Sequence, residues 1–334
     1  MSDIMHAQSR VGTTAAPFLS IGIGSRPQGM GGAFVSMFGD ANSLYWNPAG
    51  LARLERNELI MIHSTWLADM NFDYIGAVAT LGNMGSVGFS VTMLNVGEME
   101  VTTVKSQDGT GLYFSSYDLA TSFHYSYAFY DKFALGGTAK FIHQKIWNES
   151  ASGYAFDLGT LFITPFKDIR LGMSISNFGT KMQMDGRDML IFHDPDETKQ
   201  GNNDRITGEI STDYWTLPLT LRLGLSGEII KMKADRLTIS ADWVVPNDNS
   251  EHINAGIEYA SYERYFLRFG ARSLRPGHSE GSFKLFENDN GGGITAGAGM
   301  RLQLSNGVII ETNYAFEAYD RLGNVHKYSL GFKL

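Results

Sequence analysis

Residues 117–129 read YDLATSFHYSYAF, a run in which large, mostly aromatic side chains alternate with small or polar ones. The side chains of Tyr117, Phe123 and Phe129 would share one face, and those of Asp118 and His124 would share the other. Alternation with a period of two belongs to a β-strand, because successive strand side chains point to opposite faces, whereas a helix repeats about every 3.6 residues. The run therefore predicts a long strand with one apolar and one polar face.

The same rhythm recurs along most of the chain. A second example is the leucine alternation, in which one face would carry Leu217, Leu219, Leu221, Leu223 and Leu225, and the other Thr220, Arg222, Gly224 and Ser226. These runs predict an all-β protein with about fourteen strands, an even number, as single-chain outer-membrane barrels usually have. The predicted strands are 57–65, 71–81, 85–95, 116–129, 133–146, 153–164, 169–179, 215–228, 234–245, 252–260, 264–274, 293–304, 307–317 and 325–334.

The connections between these strands alternate in length. Links such as 130–132 and 261–263 are tight, whereas every second link is mostly longer, and 180–214 is the longest. Strict alternation places all tight turns at one end of an up-and-down sheet, which is the arrangement of outer-membrane barrels. A soluble sandwich with Greek-key connections has no reason to sort its loops in this way. We therefore predict a fourteen-stranded antiparallel transmembrane β-barrel.

The width of such a barrel decides which face points to lipid. Fourteen strands enclose more space than the side chains of one face can fill, so we expect the apolar face to point outward and the polar face to line the lumen. Charges of both signs on the polar face have two interpretations: salt-bridge networks within the wall, or contacts to a solute. The candidate lumen residues are Lys140, Asp157, Arg222, Asp242, Arg268, Arg301 and Glu311.

The composition argues against several classes of function. The chain has 334 residues, a formal net charge of -8 and no basic stripe, so we expect no nucleic-acid partner. It has no cysteine, which excludes disulfides and thiolate metal sites. The eight histidines show no metalloprotease spacing, and no nucleophile-elbow motif occurs, so we predict no enzyme, metal site or cofactor. No apolar run approaches the roughly 20 residues of a membrane-spanning helix.

The first 55 residues differ from the rest of the chain. Residues 1–11 are too short and polar for a complete secretory signal, so we expect the remnant of a leader or a disordered start. Residues 12–55 contain closely spaced glycines, which suit sharp turns and close backbone approach better than strand pairing. Asp40 and Asn47 are expected to cap short helices, the second with Pro48 at its first position. The glycines expected in turns are Gly22, Gly24, Gly29, Gly31 and Gly32.

A compact segment ahead of a barrel has two interpretations. It is either a plug in the lumen or an extension on the surface of the β-domain, and the residues alone leave both open. The barrel itself is expected over residues 56–334 as one structural unit with this segment. Its last strand, 328–334, keeps apolar residues at every second position up to the final leucine, which suits closure of the sheet against the first strand.

Two stretches carry a resemblance to a known family. They are 13–35, TTAAPFLSIGIGSRPQGMGGAFV, and 39–54, GDANSLYWNPAGLARL. Both closely resemble the start of PorV/PorQ family outer-membrane proteins, which belong to a wider group resembling the long-chain fatty-acid transporter FadL. The resemblance implies a fourteen-stranded barrel whose N-terminal segment forms a hatch inside the lumen. Its hatch motif would be Asn47, Pro48, Ala49 and Gly50. The last strand also resembles the C-terminal insertion signal of outer-membrane barrels.

The same resemblance implies a location and partners. The protein would lie in the bacterial outer membrane, among its lipid and lipopolysaccharide. As a PorV-like protein it would be a non-enzymatic accessory component of type IX protein secretion. It would then hold the translocon, or secreted proteins with C-terminal signal domains, through a lateral opening or its outer loops, 180–214 above all.

The alternative expectation is a FadL-like transporter of long-chain fatty acids or other hydrophobic compounds. It requires an apolar pocket for a hydrophobic small molecule between hatch and wall. The same side chains could instead only pack the hatch against the barrel. A soluble β-protein with a lipid cavity is a third interpretation. The candidate pocket residues are Phe18, Leu19, Met30, Phe34 and Met37.

Overall fold

The protein is a closed, antiparallel β-barrel. The computed structural model describes residues 12–166, 169–195, 198, 205–276, 283–284, 293–305, 307–319 and 322–334, so the expected leader, 1–11, lies outside the described residues. The main sheet has sixteen strands, two of which are two-residue pieces at its margin, Asp185–Gly186 and Phe283–Lys284. The other fourteen form the wall.

These fourteen strands are numbered in chain order. They are β1 Glu58–Thr65, β2 Asn71–Thr80, β3 Ser86–Glu100, β4 Tyr113–Tyr130, β5 Phe133–Ile146, β6 Glu149–Ile163, β7 Arg170–Gly179, β8 Thr220–Lys231, β9 Asp235–Pro246, β10 His252–Ser261, β11 Tyr265–Pro276, β12 Gly293–Gln303, β13 Ile309–Ala318 and β14 Asn324–Lys333.

Each strand pairs with its sequence neighbours, and the first and last strands close the ring. The register of β1 on β14 runs from Glu58 opposite Lys333 to Thr65 opposite His326. This closure leaves no sheet edge in the wall, which is the usual protection of a barrel against edge-to-edge association. The prediction of a fourteen-stranded antiparallel barrel is confirmed.

The two largest errors in the predicted strand bounds have local causes. The strand predicted at 215–228 begins only at Thr220, because Pro218 has no N–H to donate to a neighbouring strand. Leu217 consequently turns inward and is buried, although its position in the leucine alternation predicted an outward side chain. The strand predicted at 85–95 continues to Glu100, because a bulge at Gly97, with φ of 83°, absorbs the break in the alternation.

The two faces of the wall have the expected polarity. Large apolar side chains point outward and are half-exposed, such as Phe123 and Phe156 at 56% and Phe269 at 61%. Their neighbours along the strands, including Ser122 and His124, point inward and are buried. No helix in the described part of the chain is long and apolar enough to cross a membrane.

The connections differ between the two ends of the barrel. At one end, here called the turn end, the links are tight, and short 3₁₀ turns such as Gly82–Met84 occur there. At the other end, the loop end, Leu67–Asp69 forms a second 3₁₀ turn. The longest loop adds the 3₁₀ turn Arg187–Met189 and a hairpin of Leu190–His193 with Ile206–Glu209.

Residues 12–55, called the hatch from here on, lie inside the barrel. They form two short α-helices, α1 Ser25–Gly29 and α2 Ser43–Trp46, and the 3₁₀ helices Pro17–Ser20 and Pro48–Arg53. The hatch starts at the loop end, where the Ala15 N–H donates to the Thr216 carbonyl at 2.9 Å. It leaves at the turn end, where Arg53 donates to the Tyr130 carbonyl at 3.0 Å.

The two expected helix caps had different outcomes. The Asn47 side chain accepts a hydrogen bond from the Ala49 N–H and caps Pro48–Arg53, as predicted. Asp40 is not the cap of α2, because that helix begins only at Ser43. Its carboxylate instead accepts from the Asn42 N–H at 2.9 Å and forms the turn that precedes the helix.

Candidate functional site

The hatch touches the inner wall at positions where the strands carry glycine. A Cβ at Gly270 would overlap the Gly31 nitrogen, and a Cβ at Gly136 would overlap the backbone of Pro48 and Ala49. The absence of a side chain therefore lets two backbones meet, which is a recognised use of glycine in strands. The wall glycines whose Cβ would meet hatch atoms are Gly76, Gly88, Gly136, Gly159, Gly172, Gly224, Gly256, Gly270 and Gly297.

The five hatch glycines that were predicted in turns have three kinds of surroundings. Gly24, Gly31 and Gly32 have φ of 91°, 68° and 75°, a left-handed region that side chains rarely adopt. Gly29 lies against the wall, where its Cβ would be 3.1 Å from the Gly297 Cα. Gly22 has no such backbone requirement, and a Cβ there would meet the amide group of Gln28 within the hatch.

Asn47 connects two parts of the hatch to the wall. Its side-chain amide donates to the Val35 carbonyl at 2.7 Å and to the Thr160 carbonyl of β6 at 2.9 Å. The side-chain amide oxygen of Asn47 accepts from the Ala49 N–H at 3.1 Å. Asn47 is 1% exposed, so each of these bonds replaces water that cannot reach the group. The motif at Asn47, Pro48, Ala49 and Gly50 is therefore a structural joint of the hatch, and Gly50 packs against Ser43 within it.

A buried ion cluster holds the hatch near the turn end. Arg26 of the hatch donates two hydrogen bonds to Glu258 of β10, both 2.8 Å long, and one to Asp40, 2.7 Å long. Glu258 also accepts from Arg268 of β11 at 2.7 Å. A bidentate guanidinium–carboxylate pair of this kind fixes geometry as well as charge. The cluster therefore joins α1 to two strands and to the turn before α2.

The charges of this cluster depend on one another. Burial acts to lower the pKa of Arg26, but the carboxylates of Glu258 and Asp40 outweigh it, and the pKa lies well above its ordinary value. Burial acts to raise the pKa of Asp40, but Arg26 and Lys333 outweigh it, and the pKa lies below its ordinary value. Both groups therefore stay charged at neutral pH because each is paired.

The predicted lumen residues all lie on the inner side of the wall. Most of their hydrogen bonds and ion pairs are to other residues of the wall or of the hatch. Lys140 pairs with Asp157 at 2.7 Å, and Arg301 pairs with Glu311 at 3.0 Å. Asp242 accepts from the backbone N–H groups of two hatch residues, Phe34 at 2.7 Å and Val35 at 2.9 Å. Arg268 belongs to the ion cluster. Their positions fit the interpretation as wall and hatch networks.

Arg222 is the exception within this set. It is 8% exposed and donates to the Ser176 hydroxyl at 2.8 Å rather than to a carboxylate. Its guanidinium lies over the rings of Trp46 at 5.4 Å and Tyr45 at 5.8 Å. Burial raises the pKa of Tyr45, so its hydroxyl is neutral there. Arg222, Tyr45, Trp46 and Asn254 are among the residues that line a polar chamber of about 240 Å³ between the hatch and the loop end.

The five candidate pocket residues do not share one cavity. Met30, Phe34 and Met37 pack with Trp46 in one buried cluster. Phe18 and Leu19 belong to a separate, larger cluster with the first strands of the wall. The cavity beside them is about 20 Å³, room for roughly one water molecule. In this closed arrangement the apolar side chains pack the hatch, and a pocket for a hydrophobic compound requires them to separate.

Sequence reasoning missed the partners that hold the hatch. Glu258 shares the strand parity of Asn254 and Gly256, so the alternation of β10 was sufficient to place it inward. Arg26 has no periodic signal, because it lies in a five-residue helix. In the described part of the chain, no cluster of three or more His, Asp or Glu side chains is arranged to hold a metal ion.

Solved structures with the same fold include a toluene transporter, a monoaromatic hydrocarbon channel and a FadL homologue. The Pseudomonas putida toluene transporter TodX superposes with a TM-score of 0.59 at 12% identity, over 93% of this chain and 98% of TodX. The CymD monoaromatic hydrocarbon channel gives 0.55 at 12% identity, over 94% and 97%. A FadL homologue of Pseudomonas aeruginosa gives 0.50 at 14% identity, over 98% and 99%. The chain therefore has the fold of a FadL-like barrel.

Sequence comparison adds a partial match. Residues 2–155 match the profile of UPF0164, described as an uncharacterised protein family, which is less than half of the chain. No functionally curated protein matches the sequence. The expected membership of the PorV/PorQ family gains no support from these comparisons, and the likeness to the solved structures concerns the fold alone.

Proposed function

We propose that this protein is a non-enzymatic channel of the bacterial outer membrane that admits hydrophobic compounds when its hatch moves. The observation that carries the proposal is the hatch itself: a dedicated segment fills the lumen of a barrel whose outward face is apolar. A closed plug allows passage only by rearrangement. The FadL-like fold, shared with a toluene transporter and a monoaromatic hydrocarbon channel, supports the same function.

The chemistry of the hatch supports apolar substrates. Toward β1–β6, hatch residues such as Phe18, Ile23 and Leu44 pack on Ile62 and Phe72 in one apolar cluster. Movement of the hatch away from these strands would expose apolar surface on both partners, and an apolar solute could cover that surface. The polar chamber at the loop end, with Arg222 and Tyr45, would be met first by a solute from outside.

Uptake by whole cells tests the proposal. The full chain is expressed in a bacterial host that lacks its own channel for hydrophobic compounds, and uptake of radiolabelled toluene and oleic acid is compared with uptake of sucrose. We expect faster entry of at least one apolar probe than in cells with an empty vector, and no increase for sucrose. Equal uptake with and without the protein contradicts the proposal, and so does entry of sucrose, which indicates an open water-filled pore.

A secretion role is the second candidate. It rests on the resemblance of residues 13–54 to PorV/PorQ proteins and on the exposed apolar hairpin of the long loop, where Phe192 is 73% exposed and Ile206 46%. Exposed apolar side chains on a surface loop are typical of protein contact sites. Purification of the tagged protein in mild detergent, followed by mass spectrometry of its partners, tests this role. A large translocon or secreted proteins with a shared C-terminal domain would support it, and a barrel without protein partners would contradict it.

A further inference from the structure

The outer surface of the barrel has an open depression of about 1050 Å³ around the seam where β1 meets β14. Its lining comes from six neighbouring strands, β12, β13, β14, β1, β2 and β3. It lies on the outward face of the wall, and is therefore separate from the hatch, the ion cluster and the loop-end chamber.

The strand register arranges the outward lining in two rows across the six strands. The lower row, nearer the turn end, is apolar except for one threonine. It consists of Met300, Thr312, Leu330, Met61, Ile75 and Val91. The upper row, two residues further along each strand toward the loop end, carries the polar groups. It consists of Ala298, Tyr314, Tyr328, His63, Asp73 and Met93.

The upper row contains the paired side chains of His63 and Asp73, and one outward position further toward the loop end on β14 His326 bonds to the Tyr314 hydroxyl. His63 Nδ1 lies 2.7 Å from Asp73 Oδ1, and the two side chains are 55% and 53% exposed. Tyr328, the neighbour of His63 on β14, is 56% exposed. His63 and Asp73 each lie two residues from the loop-end terminus of their strands, where an outward charge in a membrane barrel costs only about 0–1 kcal/mol. The pair is therefore placed where the wall of such a barrel meets lipid head groups.

The wall next to the depression has a different pattern. β11 pairs with β12, and the outward side chains of β10 and β11 include Ile257 and Phe269, which are apolar and half-exposed. The small outward side chain Ala255 on β10 faces Ala241 and Ala271 across its two neighbouring strands. Ala255 lies outside the depression among apolar side chains, and it supplies a matched control position.

The order of the two rows indicates the orientation of the ligand. Two residues of a tilted strand rise about 5 Å, so the polar row lies about that distance nearer the loop end. In an outer membrane the loop end faces outside, and an amphiphile of the outer leaflet has its head group outward and its chain toward the bilayer centre. The apolar and polar rows match that order.

We infer that the depression binds an amphiphile of the outer leaflet with a zwitterionic head group. Its acyl chain lies along Met61, Ile75 and Leu330, and its head group contacts the upper row. Asp73 accepts hydrogen bonds from the cationic end, and His63 and the Tyr328 hydroxyl donate to the anionic end. The inference rests on the proposed placement in the outer membrane but not on transport.

Native mass spectrometry of the full chain in dodecyl maltoside tests the site, with 1-palmitoyl phosphatidylethanolamine as the probe. Ala298→Trp fills the depression, and the double variant His63→Leu/Asp73→Leu removes both members of the pair, so that no unpaired charge is left. Ala255→Trp, on the neighbouring part of the wall outside the depression, is the matched control. We expect the unmodified protein to bind one molecule of the probe. Binding should be weaker by about tenfold or more in Ala298→Trp, which loses the cavity, and in the double variant, which loses two hydrogen bonds. The control variant should bind the probe as the unmodified protein does.

Three results would overturn the inference. The first is equal binding of the probe by all four proteins, and the second is a loss of binding in Ala255→Trp as large as in the other variants. The third is a loss of binding in Ala298→Trp but not in the double variant, which would show that His63 and Asp73 do not contact the head group. Heat-modifiable migration in gels confirms that each variant is folded. Uptake of apolar probes by Ala298→Trp is expected to be unchanged, so a failure of this inference and a failure of the transport proposal are seen separately.

Discussion

The two sides of the hatch are attached to the barrel by different physics. The apolar side faces β1–β6, and Phe18, Leu19, Ile23 and Leu44 are among the hatch residues buried there. The ionic side faces β8–β12 and is held by directional bonds to charged groups: Arg26 to Glu258, and the N–H groups of Phe34 and Val35 to Asp242.

The difference indicates which side opens. Apolar contacts are non-directional, and an incoming apolar solute can replace them at little cost. A buried ion pair has no such substitute, because each separated charge stays unpaired in a poorly hydrated site. We therefore predict that the hatch stays attached on the ionic side and moves away from β1–β6.

Among these variants, Glu258→Ala should loosen the hatch most, because it breaks the ion cluster on the ionic side. It leaves the guanidinium groups of Arg26 and Arg268 without their shared carboxylate, at a cost of roughly 3–5 kcal/mol. The readout is maleimide labelling of the hatch in an Ala33→Cys background, because Ala33 is fully buried and the chain has no other cysteine. We expect labelling to be faster by on the order of a hundredfold.

The control for this variant is Glu263→Ala. Glu263 pairs with Arg236 at the neighbouring turn, is half-exposed and does not bond to the hatch. An exposed pair of this type contributes about 0–1 kcal/mol, so labelling should hardly change. Equal labelling rates in the two variants would show that the ion cluster does not hold the hatch.

Asn47→Asp sharpens the comparison at the joint between the two sides. The carboxylate still accepts from the Ala49 N–H, but it no longer donates to the carbonyls of Val35 and Thr160. Two buried acceptors without donors cost roughly 2–4 kcal/mol. We expect a lower urea midpoint of hatch release, measured by the same labelling, whereas Asn83→Asp in an exposed turn should leave it unchanged. An unchanged urea midpoint in Asn47→Asp would show that the motif at Asn47 does not hold the hatch in place.

Gly136→Ala should disturb the hatch by steric overlap. The new Cβ would collide with the backbone of Pro48 and Ala49, and overpacking of this kind typically costs about 1–3 kcal/mol. The adjacent Gly137→Ala is the matched control, because its Cβ would meet its nearest neighbour at an ordinary 3.8 Å. Thermal unfolding in detergent should separate the two variants. Identical melting temperatures would show that the hatch adapts to the added methyl group.

The smallest expected effect is the acid dependence of Asp40. Its pKa is lowered in the folded protein, where burial opposes the shift and Arg26 outweighs it, so its pairing stabilises the hatch above the ordinary carboxyl pKa of about 4. That contribution is lost as the pH falls through the lowered value. Asp40→Asn should therefore lower the free energy of hatch release at pH 7, obtained from the urea midpoint, by about 1 kcal/mol. The urea midpoint of this variant should also decrease less than that of the unmodified protein as the pH is lowered toward 3. Parallel pH profiles of the two proteins would contradict this role.

The sequence predicts the wall better than the attachments of the hatch. A period of two directly encodes the face of each strand, which is why Phe123 and Phe269 point outward and Asp242 and Arg268 inward as expected. The partner of Arg26 is 232 residues away in Glu258, and no local pattern encodes a pairing across that distance. The split of Phe18 from Met30 into separate clusters depends likewise on how the hatch turns inside the barrel.

The outer depression shows the same limit. Alternation places His63, Asp73 and Tyr328 outward one strand at a time, but only the registers of β1 on β2 and on β14 bring them into one row. Registers between distant strands depend on closure of the barrel rather than on local sequence. Leu217 shows the converse, because one proline beside it reverses a face that the pattern assigned.

Two engineered disulfides test the central claim most directly. Leu44→Cys with Gly88→Cys bridges the apolar side, since Leu44 packs directly on the Gly88 position. Thr14→Cys with Asp248→Cys bridges the start of the hatch to the loop between β9 and β10, where the two side chains are 3.1 Å apart. Uptake of radiolabelled toluene and oleic acid is measured in oxidised and reduced cells. We predict that oxidation stops uptake only in the first pair and that reduction restores it. Uptake that continues with the apolar side locked, or stops only with the second pair, would contradict the account.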